Sequence, residues 1–339
     1  MEPWPKRQRS NRNTAISRPA EARLTALLPV VGDRHARRLR TLRVDFEAWS
    51  IRHEVDPDAP TAADVVSFVE DFAEDRDWVP ATCRAVLSQV CRVLPVAVRA
   101  AIQQDPQYLE YHRTSRLATV RPLKDGSYDL QPIFALLREW GPNDRLSLSK
   151  LTRKTAWLLA TVGFLRPSDL ARVNVAQCTD QDAPDGFLRL AIDAPKEKRH
   201  GTRYVRSVTF NLHADPLLCP VRAYRAYRKA TGFSSTSVPH PVVAGRRITP
   251  LFRMVIDHDR PVTADTIRVY ICDVMRHIGR DPPSLAVPKA RALGATLAAQ
   301  AGTPIADIVA RGAWSSQDMF DHFYRISSAT HRFHQLYSA

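Results

Sequence analysis

Arg166 closes an apolar stretch, Thr161-Val-Gly-Phe-Leu-Arg-Pro-Ser-Asp-Leu170, and has a carboxylate three residues on at Asp169. A basic concentration, Lys196-Glu-Lys-Arg-His-Gly201, lies between two alternating apolar segments. Further on, Gly312-Ala-Trp-Ser-Ser316 leads into the aromatic residues Phe320, Phe323 and Tyr324. Guanidinium groups offer paired N–H donors that match the oxygens of a phosphate, and a phenol oxygen can attack phosphorus to leave a covalent ester. Each piece also has an ordinary reading: a surface arginine beside a capping Ser168, a solvated basic turn, an aromatic core stripe at helical spacing. The five cysteines, Cys83, Cys91, Cys178, Cys219 and Cys272, lack zinc-site or redox spacing and read as reduced structural thiols. Neither a GxxxxGK[ST] nor a GxGxxG stretch occurs, so we expect no cofactor and no metal.

Across 339 residues, 49 Lys and Arg face 35 Asp and Glu, a formal charge of +14, which points to a polyanionic partner. No run approaches the ~20 apolar residues of a spanning helix, and the N-terminal residues lack the apolar core of a secretory signal. A soluble protein with no membrane association is expected. Twenty-five prolines against 12 glycines favour helices bounded by proline over glycine-rich phosphate loops.

Periodicity predicts a mainly α fold with a small β-hairpin. Residues 1–20 read as a basic flexible tail, 21–115 as a helical domain, 116–127 as a basic linker around Pro122 and Gly126, and 128–339 as an α+β domain. Within the helical domain, Leu39, Leu42, Val44, Phe46 and Trp49 are expected on one helical face; Thr61 is placed to cap a helix over 61–73, and Pro80 to open one over 80–93. In the second domain, helices are expected at 131–140, 148–163, 220–231, 263–278, 289–302, 304–312 and 315–326. Alternation predicts strands at 187–192 and 203–211, joined by the basic turn.

This order of elements, with Leu218-Cys-Pro-Val opening a helix, Arg291 early in another and Ala313-Trp-Ser-Ser before the last, resembles the tyrosine recombinase (phage-integrase) family. The closing segment is most similar to recombinases of DIRS-type and Crypton-type mobile elements. The resemblance implies a helical core-binding domain followed by a catalytic domain that cuts and rejoins DNA through a 3′-phosphotyrosine, with no metal. It assigns Tyr324 as nucleophile, Arg166 and Arg291 as the phosphate clamp, Asp169 as the residue orienting Arg166, and Trp314 as a phosphate contact. Lys196 becomes the general acid for the leaving 5′ oxygen, with Lys198 as the other candidate on the turn. In most of the family the tyrosine falls one position earlier, here Phe323, and a histidine stands where this chain has Pro288.

Arg34, Arg37, Arg38, Arg40 and Arg43 crowd one predicted helix; together with Arg121, Lys124, Lys198 and Arg199 they are expected to contact DNA phosphates, with salt-sensitive affinity. The implied partners are double-stranded DNA and, by resemblance, three further copies in a synaptic homotetramer, the free chain being monomeric. The segment carrying Phe333, Leu336 and Tyr337 either docks on a neighbouring copy or packs at home. A nuclear location follows if the host is eukaryotic, and a cytoplasmic one otherwise. Two alternatives stay open: a catalytically weakened or silent DNA-binding derivative, which Pro288 favours, and a type IB topoisomerase.

Overall fold

The computed structural model describes residues 33–119, 126–197 and 201–326. They fall into two compact units, one within Val30–Leu123 and the other formed by the residues from Lys124 onward. The basic tail, His200 and residues 327–339, with Phe333, Leu336 and Tyr337, lie outside the described residues.

The first unit is built from helices α1 (Asp33–Arg52), α2 (Ala62–Arg76), α3 (Pro80–Val93), α4 (Val96–Gln104) and α5 (Pro106–Leu117). Thr61 and Asp64 form a reciprocal capping box at the start of α2, satisfying donors the first helical turn leaves free. Proline opens α3, where its missing N–H costs nothing. Phe46, Trp49, Phe68 and Val90 meet in the core, with the Phe46 and Phe68 rings edge to face at 5.2 Å. Burying each such side chain contributes about 1.5–3 kcal/mol. Helix α5 runs to Leu117, two residues into the segment expected as a basic linker, of which residues 120–125 lie outside the described residues. Arg84 holds that last turn by donating to the Ser115 carbonyl and, at 3.1 Å, to Thr119 Oγ1.

The second unit opens with β1 (Ser127–Asp129), α6 (Gln131–Trp140), α7 (Leu148–Val162) and α8 (Pro167–Leu170). Strands β2 (Thr179–Asp180), β3 (Phe187–Asp193) and β4 (Val205–Asn211) form one antiparallel sheet, its register running from Phe187 opposite Asn211 to Asp193 opposite Val205. Then follow α9 (Pro220–Ala230), β5 (Val238–Pro239), β6 (Arg247–Ile248), α10 (Ala264–Met275), β7 (Gly279–Asp281), α11 (Ala290–Gln300), α12 (Ile305–Gly312) and α13 (Gln317–Phe323). Helix α7 is buried along most of its length from Leu151 to Thr161 and is central, packed by α9, α10 and α11. Two further strand pairs, β1 with β7 and β5 with β6, accompany the expected hairpin. They are two or three residues long, too short for alternation to reveal them. Among the described residues no helix is long and apolar enough to cross a membrane.

Candidate active site

Three elements converge around Asp169. Helix α7 ends at Gly163, the chain turns through Phe164 at φ 50°, and Pro167 starts α8 directly after Arg166. Asp169, fully buried, accepts the Arg166 backbone N–H through Oδ2 at 3.0 Å. Arg291 arrives in the first turn of α11 and is 4% exposed. One helical turn further, Gly294 lets α11 lie directly on α7: a Cβ there would stand 2.0 Å from the Thr161 carbonyl oxygen. That contact draws Arg291 up to Arg166 although 124 residues separate them in sequence.

The Asp169 carboxylate serves three guanidiniums. Its Oδ2 lies 4.0 Å from Arg166 Nη1, 3.6 Å from Arg291 Nη1 and 3.8 Å from Arg206 Nη1. Arg291 also donates to the Gly312 carbonyl at 2.6 Å, and Arg206 donates to the neighbouring Arg311 carbonyl. These bonds tie the end of α12 to the arginine cluster. Burial, with the positive charge of Arg166 next to it, pulls Arg291 below the usual arginine range.

Helix α12 finishes at Gly312, where a Cβ would stand 2.1 Å from the Trp314 ring, and Ala313 takes a left-handed φ of 51°. Trp314 is thereby packed among Phe164, Ile308 and Phe320. Its indole Nε1 is buried with no hydrogen-bond partner among the described residues. Phe320, fully buried, anchors α13, and Tyr324 follows that helix directly. Thr296 of α11 brackets the position by donating to the Tyr324 carbonyl at 3.3 Å and accepting the Ile326 N–H at 3.0 Å.

The Tyr324 hydroxyl accepts from Arg166 Nη2 at 3.2 Å, and the Arg291 guanidinium sits over its ring at 5.0 Å. Burial works to raise the phenol, but the Arg166 hydrogen bond and charge, supported by Arg291, outweigh it and hold Tyr324 below its ordinary value. An ultraviolet difference titration of wild type against Tyr324→Phe is therefore expected to reveal one phenol that ionises below the rest. A difference spectrum appearing only at the ordinary tyrosine range would contradict the electrostatics described here.

Arg166, Lys196, Glu197, Trp314, Ser315 and Tyr324 line one cleft of about 450 Å³. Lys196 is exposed at its rim, just beyond β3. All six residues expected to act chemically, Tyr324, Arg166, Arg291, Lys196, Trp314 and Asp169, thus belong to this cleft or to the cluster behind it. Pro288 is buried ahead of α11, while Lys289 at the helix start is exposed.

Two site residues escaped the sequence reading. Arg206 shares the buried face of β4 with Val208 and Phe210, so a lone arginine on an apolar strand face was the available signal. Glu197, second in a basic turn, gave none: its Oε1 accepts from Arg166 Nη1 and lies 3.8 Å from Arg291 Nη2.

Of the expected DNA contacts, Arg37, Arg38 and Arg40 are exposed on α1. Arg43 is engaged at home, with Glu47 at 2.5 Å and Asp58 at 2.7 Å. The Arg34 side chain and Arg121, Lys124, Lys198 and Arg199 lie outside the described residues. Among the described residues no group of three His, Cys, Asp or Glu side chains could hold a metal ion.

The second unit with its helix-wrapped hairpin and arginine-centred cleft has the fold of the tyrosine recombinase catalytic domains. The chain is similar to the Tn1549 transposon integrase, whose structure was solved with a circular intermediate DNA: TM-score 0.50, 14% identity, covering 84% of this chain and 86% of that one. It also matches lambda integrase bound as a dimer to a COC′ core site, with TM-score 0.47 and 14% identity over 83% of this chain and 87% of that one. XerA recombinase matches with TM-score 0.40 and 13% identity over 91% and 93%. No protein-family model and no curated protein matches the sequence.

Proposed function

We propose that the chain is a site-specific DNA recombinase that cleaves and rejoins double-stranded DNA through a 3′-phosphotyrosine, in the integration or excision of a mobile element. The observation that carries this reading is the hydrogen bond between Arg166 and the Tyr324 hydroxyl in a cleft that Lys196 also lines. The likeness in fold to an integrase solved with DNA supports it.

In the proposed step the Tyr324 oxygen attacks the scissile phosphorus and gives up its proton to solvent. The bond from phosphorus to the 5′ oxygen breaks, and Lys196 protonates that oxygen as it leaves. Arg166 and Arg291 neutralise the extra charge of the phosphorane-like transition state, Trp314 donates its N–H to the phosphate, and Asp169 keeps both arginines in place. Attack by a 5′ hydroxyl reverses the step and rejoins a strand, so the bond energy is conserved. In this reading Arg37, Arg38 and Arg40 supply phosphate contacts from the first unit, acting as its core-binding domain. Strand exchange takes place in a homotetramer through a Holliday junction.

The DIRS-type or Crypton-type affinity rests on Ala313-Trp-Ser-Ser and on the tyrosine at 324 rather than 323; with it goes a nuclear location in a eukaryotic host. The buried Pro288 favours a second reading, a DNA-binding derivative with weak or no cleavage, because proline neither gives nor takes a proton.

Nicked suicide duplexes carrying the terminal sequences of the encoding element separate these readings. A trapped covalent adduct marks an enzyme, and dependence on two paired sites marks a recombinase rather than a topoisomerase. Cleavage is expected to persist in excess EDTA, since Arg166, Arg291 and Lys196 supply the charge that metal ions supply elsewhere. Activity lost on chelation and restored by magnesium would overturn the mechanism.

A further inference from the structure

Glu197 is the acidic side chain among the residues lining the cleft, and its carboxylate bridges the two guanidiniums read above as the phosphate clamp. Oε1 takes the Arg166 hydrogen bond, whereas Oε2 is buried with no hydrogen-bond partner among the described residues. A half-desolvated carboxylate oxygen is costly, so what keeps it there is the charge of the two arginines. Burial alone would raise its carboxyl, yet Arg166, with Arg291 adding to it, holds the group below the usual carboxylate range and therefore ionised.

Carboxylate and phosphate oxygens bind guanidinium in the same way, through N–H donors in the plane of the fork. Two anions cannot share those donors, because each would sit within a few ångströms of the other. In the absence of DNA the carboxylate also screens Arg291 from Arg166, whose positive charges oppose each other.

We propose that Glu197 is an intramolecular occupant of the phosphate clamp, holding Arg166 and Arg291 until a phosphate displaces it. The proposal rests on the reading of those two arginines as the clamp. It makes loading of the cleft an exchange of one anion for another, so the empty cleft is neutralised and isolated phosphates enter it against competition. Because Glu197 adjoins Lys196, the peptide that seats the carboxylate also sets where the proposed general acid stands.

The test is a titration of the full chain with inorganic phosphate at low ionic strength, followed by calorimetry and by the shift in melting temperature. Glu197→Gln removes the competing charge while keeping the side-chain volume, and is expected to tighten phosphate binding about tenfold. The double variant Arg166→Ala, Glu197→Gln is expected to lose that gain, which locates it in the cleft rather than on the basic surface. Phosphate affinity in Glu197→Gln equal to or below wild type would overturn the proposal, and so would a gain that survives in the double variant. Should Glu197→Gln melt too early to titrate, Glu197→Asp serves: the shorter carboxylate draws back from Arg291, so tightening supports the proposal and unchanged affinity overturns it. The clamp reading fails separately, if wild type and Arg166→Ala bind phosphate equally.

Discussion

Tyr324→Phe is expected to abolish covalent attachment to DNA, by on the order of 10⁴-fold or more, while noncovalent duplex binding is retained. The substitution deletes one oxygen and leaves the ring, which packs 4.7 Å from Trp314 and under the Arg291 guanidinium. Arg166 loses a hydrogen-bond acceptor but keeps Glu197, so the cleft stays assembled. The carbonyl of residue 324 is held by Thr296, which sets where the phenol can reach. The measurement is gel detection or mass spectrometry of the adduct trapped on a nicked duplex, paired with a mobility-shift assay for binding. An adduct that persists in the variant would move the nucleophile to Tyr337 or to another residue and would remove the central observation behind the proposed function.

The second large effect is on stability. Asp169→Ala is expected to lower the unfolding free energy by about 3–5 kcal/mol, the usual cost of removing one partner from a buried ion cluster. Asp169 is fully buried, and Arg206 and Arg291, each with side chains 5% exposed, would remain in the interior without their shared counter-charge. The hydrogen bond that fixes the Arg166 backbone ahead of α8 would go with it. Thermal or urea unfolding of the full chain reads this as an early transition in the unit that holds the cluster. A loss below about 1 kcal/mol would mean that Arg206 and Arg291 find other acceptors, since that is the range of an exposed ion pair. Asp169→Asn refines the result: an amide keeps one acceptor oxygen for the Arg166 N–H but lacks the charge, so its loss relative to wild type isolates the electrostatic part, and the difference between the two variants isolates the hydrogen bond and packing.

Local signals in the chain reached far into the fold. Thr61 marked a helix start by its residue type and place ahead of an apolar run, and Pro80, Pro220 and Pro167 stand at first-turn positions where proline is tolerated. Alternation in Arg203-Tyr-Val-Arg-Ser-Val-Thr-Phe-Asn211 identified β4, since period 2 is a property of consecutive residues. Where a segment was too short to express its period, as in β1, β5 and β7, the reading missed it. The end of α5 ran past residue 115 for a related reason: its polar and basic end has little apolar periodicity, and its last turn is secured by Arg84 from another helix.

By itself, then, the sequence determined the basic character of the protein, the positions of most helices and the central hairpin, and the residue types suited to phosphoryl chemistry. These depend on composition or on neighbours a few positions apart. Which groups meet was decided only in three dimensions. Gly294 brings α11 onto α7, and that approach sets Arg291 beside Arg166; Trp314, Phe320 and Thr296 place the Tyr324 hydroxyl 3.2 Å from Arg166. Arg206 behind the cleft and Glu197 within it entered on the same terms. The physical reason is that an electrostatic interaction depends on distance and on the surrounding dielectric, and neither is a function of separation along the chain.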